Sequence, residues 1–144
     1  MNKWLVSAGC LSAVAALLHL AIVWGGPDWY RFFGAGEGMA RAAAQGHWRP
    51  ALYGGAIAAL LALWSAYAFS GAGLIRRLPL LRLGLLVIAA IYLLRAALPL
   101  FVLAFAPQRM NPFILWSSLI VLIYGLAYAI GTWRGWHRLG MRRG

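Results

Sequence analysis

The chain has 144 residues, of which 64% are hydrophobic, and thirteen Lys and Arg against two acids give it a formal net charge of +11. Soluble globular domains are much less apolar than this. The apolar content argues against nucleic acid as a partner, although a strong positive charge alone is typical of nucleic-acid-binding domains. Because the basic residues lie at the ends of apolar runs, the pattern indicates a membrane protein.

Two apolar runs in the first half are long enough to cross a bilayer, since about 20 helical residues cover a hydrocarbon core of about 30 Å. We place these spans at about residues 4–24 and 51–70. Small residues recur at every fourth position in both, and such faces let helices approach closely. They are Ala8, Ser12 and Ala16 in the first span, and Gly54, Ala58, Ala62, Ala66 and Ser70 in the second. We expect these faces to pack helices or to bind a second copy or a larger membrane complex.

The loop between these spans, residues 25–49, carries both acids of the chain, Asp28 and Glu37. Pro27 suits the first turn of a helix, and three alternating glycines then interrupt the pattern. We expect one or two short helices that lie in the membrane interface. Asp28 at a helix start would favour the helix dipole, and Glu37 would pair with a cation.

The second half contains two further spans, at about residues 80–105 and 112–133, followed by a basic tail at 134–144. Pro99 lies inside the third span and predicts a kink, because proline removes a backbone hydrogen bond. One face of the fourth span is polar enough to point inward: Ser117, Val121, Tyr124, Tyr128 and Gly131. The sequence thus predicts a single all-α domain over residues 1–144, a four-transmembrane-helix bundle with an interfacial helical loop, because a bilayer requires backbone groups to be satisfied internally.

Basic residues outside the spans predict the orientation, because cytoplasmic loops carry the excess of Lys and Arg. The side that holds both termini and the second loop has eight: Lys3, Arg76, Arg77, Arg82, Arg134, Arg138, Arg142 and Arg143. The other side has four: Arg31, Arg41, Arg49 and Arg109. We therefore expect both termini in the cytoplasm. Twelve of the thirteen basic residues are Arg, which we interpret as the mark of a GC-rich bacterial genome and hence of a bacterial inner membrane.

Arg95 is the one charged residue inside the apolar part of the third span. An arginine within a bilayer costs several kcal/mol unless it is paired or hydrated. It lies roughly 15 Å from the outer end of its helix at 1.5 Å per residue, a depth that suits His19, Ser117 and Tyr124 of the other spans. We predict an outward-facing polar pocket made of these four residues, with Glu37 in the loop over its mouth.

Two interpretations of Arg95 stay open. Its fork of five N–H donors suits the carboxylate or phosphate of a ligand. Alternatively, it forms an internal ion pair with Glu37 or Asp28 and pins the third helix to the first loop. His19 likewise suits either proton transfer, since its ordinary pKa is near 6.5, or an interhelical hydrogen bond.

Three classes of function remain. The first is a non-enzymatic protein that binds a lipid or a small amphipathic anion around Arg95. The second is an accessory or assembly subunit of a larger membrane complex, and the third is an isomerase-like enzyme that uses His19 and Glu37 as acid and base. No carboxylate occurs within a span, which argues against proton-coupled export. We expect no metal or other cofactor, because His19, His47 and His137 share no metal-ligand spacing.

Overall fold

The computed structural model of the protein describes residues 1–140. Most of these residues lie in helices, and none lies in a strand. The described residues form seven α-helices: α1 (Lys3–Gly25), α2 (Pro27–Phe32), α3 (Glu37–Ala44), α4 (Arg49–Ala72), α5 (Leu81–Ala96), α6 (Leu98–Phe105) and α7 (Pro112–Gly140). A short 3₁₀ turn, Pro107–Arg109, precedes α7. The first loop contains α2 and α3, so the prediction of short helices in this loop is confirmed.

Four segments of the described chain are long and apolar enough to cross a membrane: Lys3–Gly25, Arg49–Ala72, Leu81–Phe105 and Pro112–Gly140. They coincide with the four predicted spans, which confirms an all-helical fold with four apolar spans. The third segment joins α5 and α6.

Helix α7 is longer than the sequence predicts. It continues to Gly140, through the first part of the predicted basic tail. Gly131, Gly135 and Leu139 recur at every fourth position and are all buried, so the inward face simply continues past residue 133. The remaining basic residues of the tail, Arg142 and Arg143, lie outside the described residues.

The third segment is interrupted at Ala97, between α5 and α6. Pro99 has no N–H, so it cannot donate to the carbonyl of Arg95 four residues earlier. The chain instead closes α5 with a bond from Ala97 N to Leu93 O at 3.0 Å and opens α6 with one from Leu100 N to Ala97 O at 3.0 Å. The α-helix is therefore interrupted where Pro99 predicts a kink, and Arg95 lies in the last turn of α5.

The chain divides into two compact units, and both boundaries fall inside apolar helices. One unit is Ser12–Leu63, and the other is Met1–Leu11 together with Trp64–Gly144. We call them the loop unit and the main unit. In the loop unit, Ile22, Tyr30 and Ala40 form a small buried core beneath α2 and α3, which pack on each other.

In the main unit, α5 packs along α7, and small residues let neighbouring helices approach. Gly125 of α7 faces the side chain and backbone of Leu93. Near the start of α1, the Gly9 carbonyl accepts a hydrogen bond from Ser65 Oγ at 2.8 Å. These close approaches are what small residues at helix interfaces predict.

The predicted small-residue face of α4 is buried at Gly54, Ala58 and Ser70, but Ala62 is exposed. At 3.6 residues per turn, each step of four residues moves about 40° around the helix, so the middle of the series leaves the buried side. The other buried side chains in the second half of α4 are Leu61, Ser65, Ala68 and Ala72.

Candidate functional site

Arg95 lies partly buried in the last turn of α5 and reaches two serines of α7. Its Nη1 donates to Ser118 Oγ at 3.0 Å, and its Nη2 donates to Ser117 Oγ at 3.1 Å. Ser118 is buried, and Ser117 Oγ in turn donates to Ile114 O at 3.3 Å. The guanidinium is therefore held by two hydroxyl oxygens, one on each terminal nitrogen.

The end of α5 also favours the cation. The carbonyl end of a helix carries a partial negative charge, which stabilises a positive side chain in the last turn. The interruption at Ala97 creates that end inside the third apolar segment. Pro99 therefore contributes to the site indirectly, by ending the helix next to Arg95.

Four aromatic rings form a cluster around Tyr92, which lies one turn before Arg95 on the same face of α5. Tyr92 is its centre, with ring centroids 4.9 Å from Trp64, 5.5 Å from Tyr124 and 5.5 Å from Tyr128. Tyr128 is fully buried, and its hydroxyl donates to Trp64 O at 2.9 Å. This aromatic cluster joins α4, α5 and α7 one turn from Arg95.

Of the predicted pocket residues, the main unit brings together Arg95 and Ser117, with Tyr124 in the adjoining aromatic cluster. The sequence interpretation missed Ser118, Tyr92 and Trp64. Tyr92 could have been found, because it lies three residues before Arg95 on one helix face. Ser118 was not predicted because adjacent residues of a helix lie on different faces, and only the face of Ser117 was considered. The two terminal nitrogens of Arg95 are far enough apart to donate to both hydroxyls.

Glu37 binds two arginines of its own unit. Arg31 donates from Nε to Oε2 at 3.0 Å and from Nη2 to Oε1 at 3.2 Å, and Arg41 Nε donates to Oε1 at 3.2 Å. The hydrogen bonds from Arg31, and to a smaller extent the one from Arg41, lower the pKa of Glu37. The prediction that Glu37 pairs with a cation is confirmed.

Asp28 lies in the first turn of α2 as predicted, and Arg31 Nη1 donates to its Oδ1 at 2.8 Å. Both acids are therefore engaged within α2 and α3. Of the two interpretations of Arg95 that the sequence leaves open, the ion pair with Glu37 or Asp28 is not formed among the described residues. The hydroxyls of two serines accept from Arg95 instead. Opposite charges three or four residues apart on one helix form ion pairs locally. Asp28 therefore pairs with Arg31, and Glu37 pairs with Arg41.

His19 makes a hydrogen bond within its own helix, not the expected interhelical one. Its Nδ1 lies 2.8 Å from Ala15 O, four residues earlier. A carbonyl only accepts, so Nδ1 is the donor in this hydrogen bond. Within the described residues, His19 and Glu37 bond to these partners and not to each other.

No three His, Cys, Asp or Glu side chains among residues 1–140 lie close enough to hold a metal ion. The chemistry that Arg95 and its serines offer is recognition of an anion by a cationic fork within an apolar segment. No protein-family model, curated protein or solved structure matches this chain to a significant degree.

Proposed function

We propose that the protein is a non-enzymatic, multi-pass membrane protein that binds a lipid or another small amphipathic anion at Arg95. The observation that carries the proposal is a partly buried guanidinium in an apolar segment, held by two neutral hydroxyls. Uncharged acceptors satisfy hydrogen bonds but leave the positive charge uncompensated. An anionic group bound there would supply the compensation.

The apolar surface of the long helices supports membrane insertion. Large side chains point outward from all four segments, among them Leu17 at 66% exposure, Leu60 at 45%, Leu94 at 66% and Ile123 at 59%. Apolar surface on this scale marks a membrane or a protein partner. Exposed Trp24, Trp48, Trp116 and Trp133 lie near segment ends, where aromatic belts anchor helices at the interface.

The proposed orientation places both termini in the cytoplasm of a bacterial inner membrane, because the basic residues are in excess on the side of the termini and the second loop. Exposed positions in the two loops make it testable in a Cys10→Ser background. An impermeant maleimide added to intact cells is expected to label Ala35→Cys of the first loop and to leave Leu74→Cys of the second loop unlabelled. The reverse pattern would overturn the orientation.

The geometry of the site suits a carboxylate or phosphate headgroup. A guanidinium has five N–H donors, and Arg95 uses one N–H of each of its two terminal nitrogens for the serine hydroxyls. The remaining donors match the two oxygens of an acid group. Exposed apolar side chains on the same helix, such as Leu94 next to Arg95, offer apolar surface to the ligand's chain.

Binding of decanoate by the purified protein in neutral-lipid nanodiscs tests the proposal. We expect Arg95→Gln to weaken decanoate binding at least tenfold, because a hydrogen bond to a charged group is worth about 1.5–3 kcal/mol. Arg109→Gln, outside the apolar segments, removes the same charge and is expected to bind within twofold of the parent. Decanol has the same chain without the charge, and its binding should not change.

Unchanged decanoate binding by Arg95→Gln would overturn the proposal, and so would an equal loss of decanol binding. Arg95→Lys separates charge from geometry, because lysine keeps the charge and loses the fork. We expect its affinity for decanoate to lie between those of the parent and Arg95→Gln.

A further inference from the structure

The main unit contains a cavity of about 450 Å³ at the end opposite to Arg95. The start of α1, the end of α4, the second loop and the end of α7 meet there. Its lining residues are Met1, Asn2, Ser70, Gly71, Ala72, Gly73, Ile75, Arg76, Arg77, Leu81, Gly135, Arg138 and Leu139. We call it the basic cavity, because three of these residues are arginines and none is an acid.

An anion would stabilise the charge of the basic cavity. Arg76 and Arg138 bring positive charges from two different elements to one cavity, where like charges repel. Among the described residues 1–140, the two acids Asp28 and Glu37 are bound to Arg31 and Arg41 in the loop unit. An external anion would stabilise the cluster.

The loop that carries two of these arginines has a defined shape. Ser70, which is buried, donates from Oγ to Arg76 O at 3.0 Å and accepts from Leu78 N at 2.9 Å. Tyr67 Oη donates to Pro79 O at 3.2 Å. These bonds fold the loop back on the end of α4, so Arg76 is held at the cavity by its own backbone.

The opposite wall is also fixed by hydrogen bonds. Asn2 Nδ2 donates to Gly131 O at 2.7 Å, which ties the start of α1 to α7. Nearby, Arg82 donates to Trp136 O from Nε at 3.1 Å and from Nη2 at 2.6 Å, and its guanidinium lies 4.7 Å from the Trp136 ring centroid. The last turns of α7, which carry Arg138, are thereby held beside the start of α5.

We propose that the basic cavity binds the phosphate of an anionic lipid headgroup. Its volume falls in the range of about 300–1,000 Å³ that is typical of ligand pockets, and arginine forks match phosphate oxygens. Basic pockets between membrane helices on the cytoplasmic side bind such headgroups. A lipid is favoured over a soluble phosphate because exposed apolar side chains flank the cavity: Leu74 at 51%, Ile75 at 47% and Leu80 at 75%.

This site rests on the membrane insertion of the proposed function but not on ligand binding at Arg95. Arg95 lies about 21 Å along α5 from Leu81 of the cavity lining, at 1.5 Å per residue. The two sites can therefore be tested with separate variants, and failure of one does not imply failure of the other.

The test compares lipids and variants in neutral-lipid nanodiscs. Short-chain phosphatidylglycerol is titrated into the parent protein, with phosphatidylcholine and inorganic phosphate as further ligands. We expect Arg76→Gln/Arg138→Gln to weaken phosphatidylglycerol binding at least tenfold. The matched control is Lys3→Gln/Arg134→Gln, which removes two positive charges from the same end of the molecule without touching the cavity lining, and we expect its binding to stay within twofold of the parent.

Further measurements ensure that each outcome supports or overturns the proposed lipid site. A folded double variant should keep the parent's helical circular dichroism and elution volume. Parent-like binding by the cavity variant would overturn the proposal, as would an equal loss in the matched control, which would indicate surface charge alone. Equal affinity for phosphatidylcholine or inorganic phosphate would overturn the assignment to an anionic lipid.

Discussion

Arg95 is held in an apolar segment by groups that carry no formal charge. The hydroxyls of Ser117 and Ser118 accept its N–H groups, and the carbonyl end of α5 contributes a partial negative charge. Arg95 and Ser117 can be predicted as site residues from the sequence, because a charged and a hydroxyl side chain are unusual within apolar runs. The sequence does not identify the partner, because the choice between distant acids and nearby serines depends on what else binds the acids.

Gly131 is a residue whose small size the packing requires. A Cβ built there would lie 2.8 Å from the Leu5 side chain and 3.1 Å from Leu5 N. We expect Gly131→Ala to lower the free energy of unfolding by about 1–3 kcal/mol, the usual cost of overpacking. Unfolding in a denaturing detergent, followed by circular dichroism, measures the change.

Gly55→Ala is the control for this prediction. Gly55 also lies inside a long helix, but a Cβ there would meet nothing within 4 Å. We expect no loss of stability, and a gain of up to about 1 kcal/mol, because alanine is the better helix former. Equal destabilisation by both substitutions would show that the contact with Leu5 is not the cause.

At the scale of helices, the pattern of apolar residues predicts the long elements well and their ends poorly. Pro99 marks the interruption between α5 and α6 because the missing N–H is a local property. The length of α7 was underestimated because basic residues after 133 resemble a solvated tail, although Gly135 and Leu139 continue its buried face. The small-residue series of α4 fails at Ala62 because a repeat of four does not match 3.6 residues per turn.

The contact between α2 and α3 depends on ionised Glu37 and is therefore sensitive to acid. Arg31 and Arg41 lower the pKa of Glu37 below its ordinary value of 4.5. A lowered pKa in the folded state means that the stabilisation is present above about pH 4.5 and is lost as the pH falls through the lowered pKa. We expect the turn between α2 and α3 to become mobile only at that acidic pH.

A nitroxide label on Ala35→Cys, in a Cys10→Ser background, reports this mobility by electron paramagnetic resonance. Glu37→Gln is the control, because it removes the titrating group. We expect its label to be mobile already at pH 7 and to change little with acid. An acid response of the same size in Glu37→Gln would assign the transition to another group.

At the scale of the whole molecule, four apolar segments follow from composition and run length alone, since a bilayer-spanning helix needs about 20 apolar residues. The division into a loop unit and a main unit does not follow, because both boundaries lie within apolar helices. The basic cavity was missed for a similar reason: its arginines come from the second loop and α7 and look, in sequence, like residues that only set the orientation.

The central claim is that an anionic amphiphile binds at Arg95 within the membrane-embedded protein. Crosslinking with a photoactivatable fatty acid, followed by peptide mapping, tests it most directly in nanodiscs. We predict labelled peptides around Tyr92 and Ser117 in the parent, and loss of this labelling in Arg95→Gln but not in Arg109→Gln. Labelling spread evenly over the outward faces of the long helices, and unchanged in Arg95→Gln, would contradict the account.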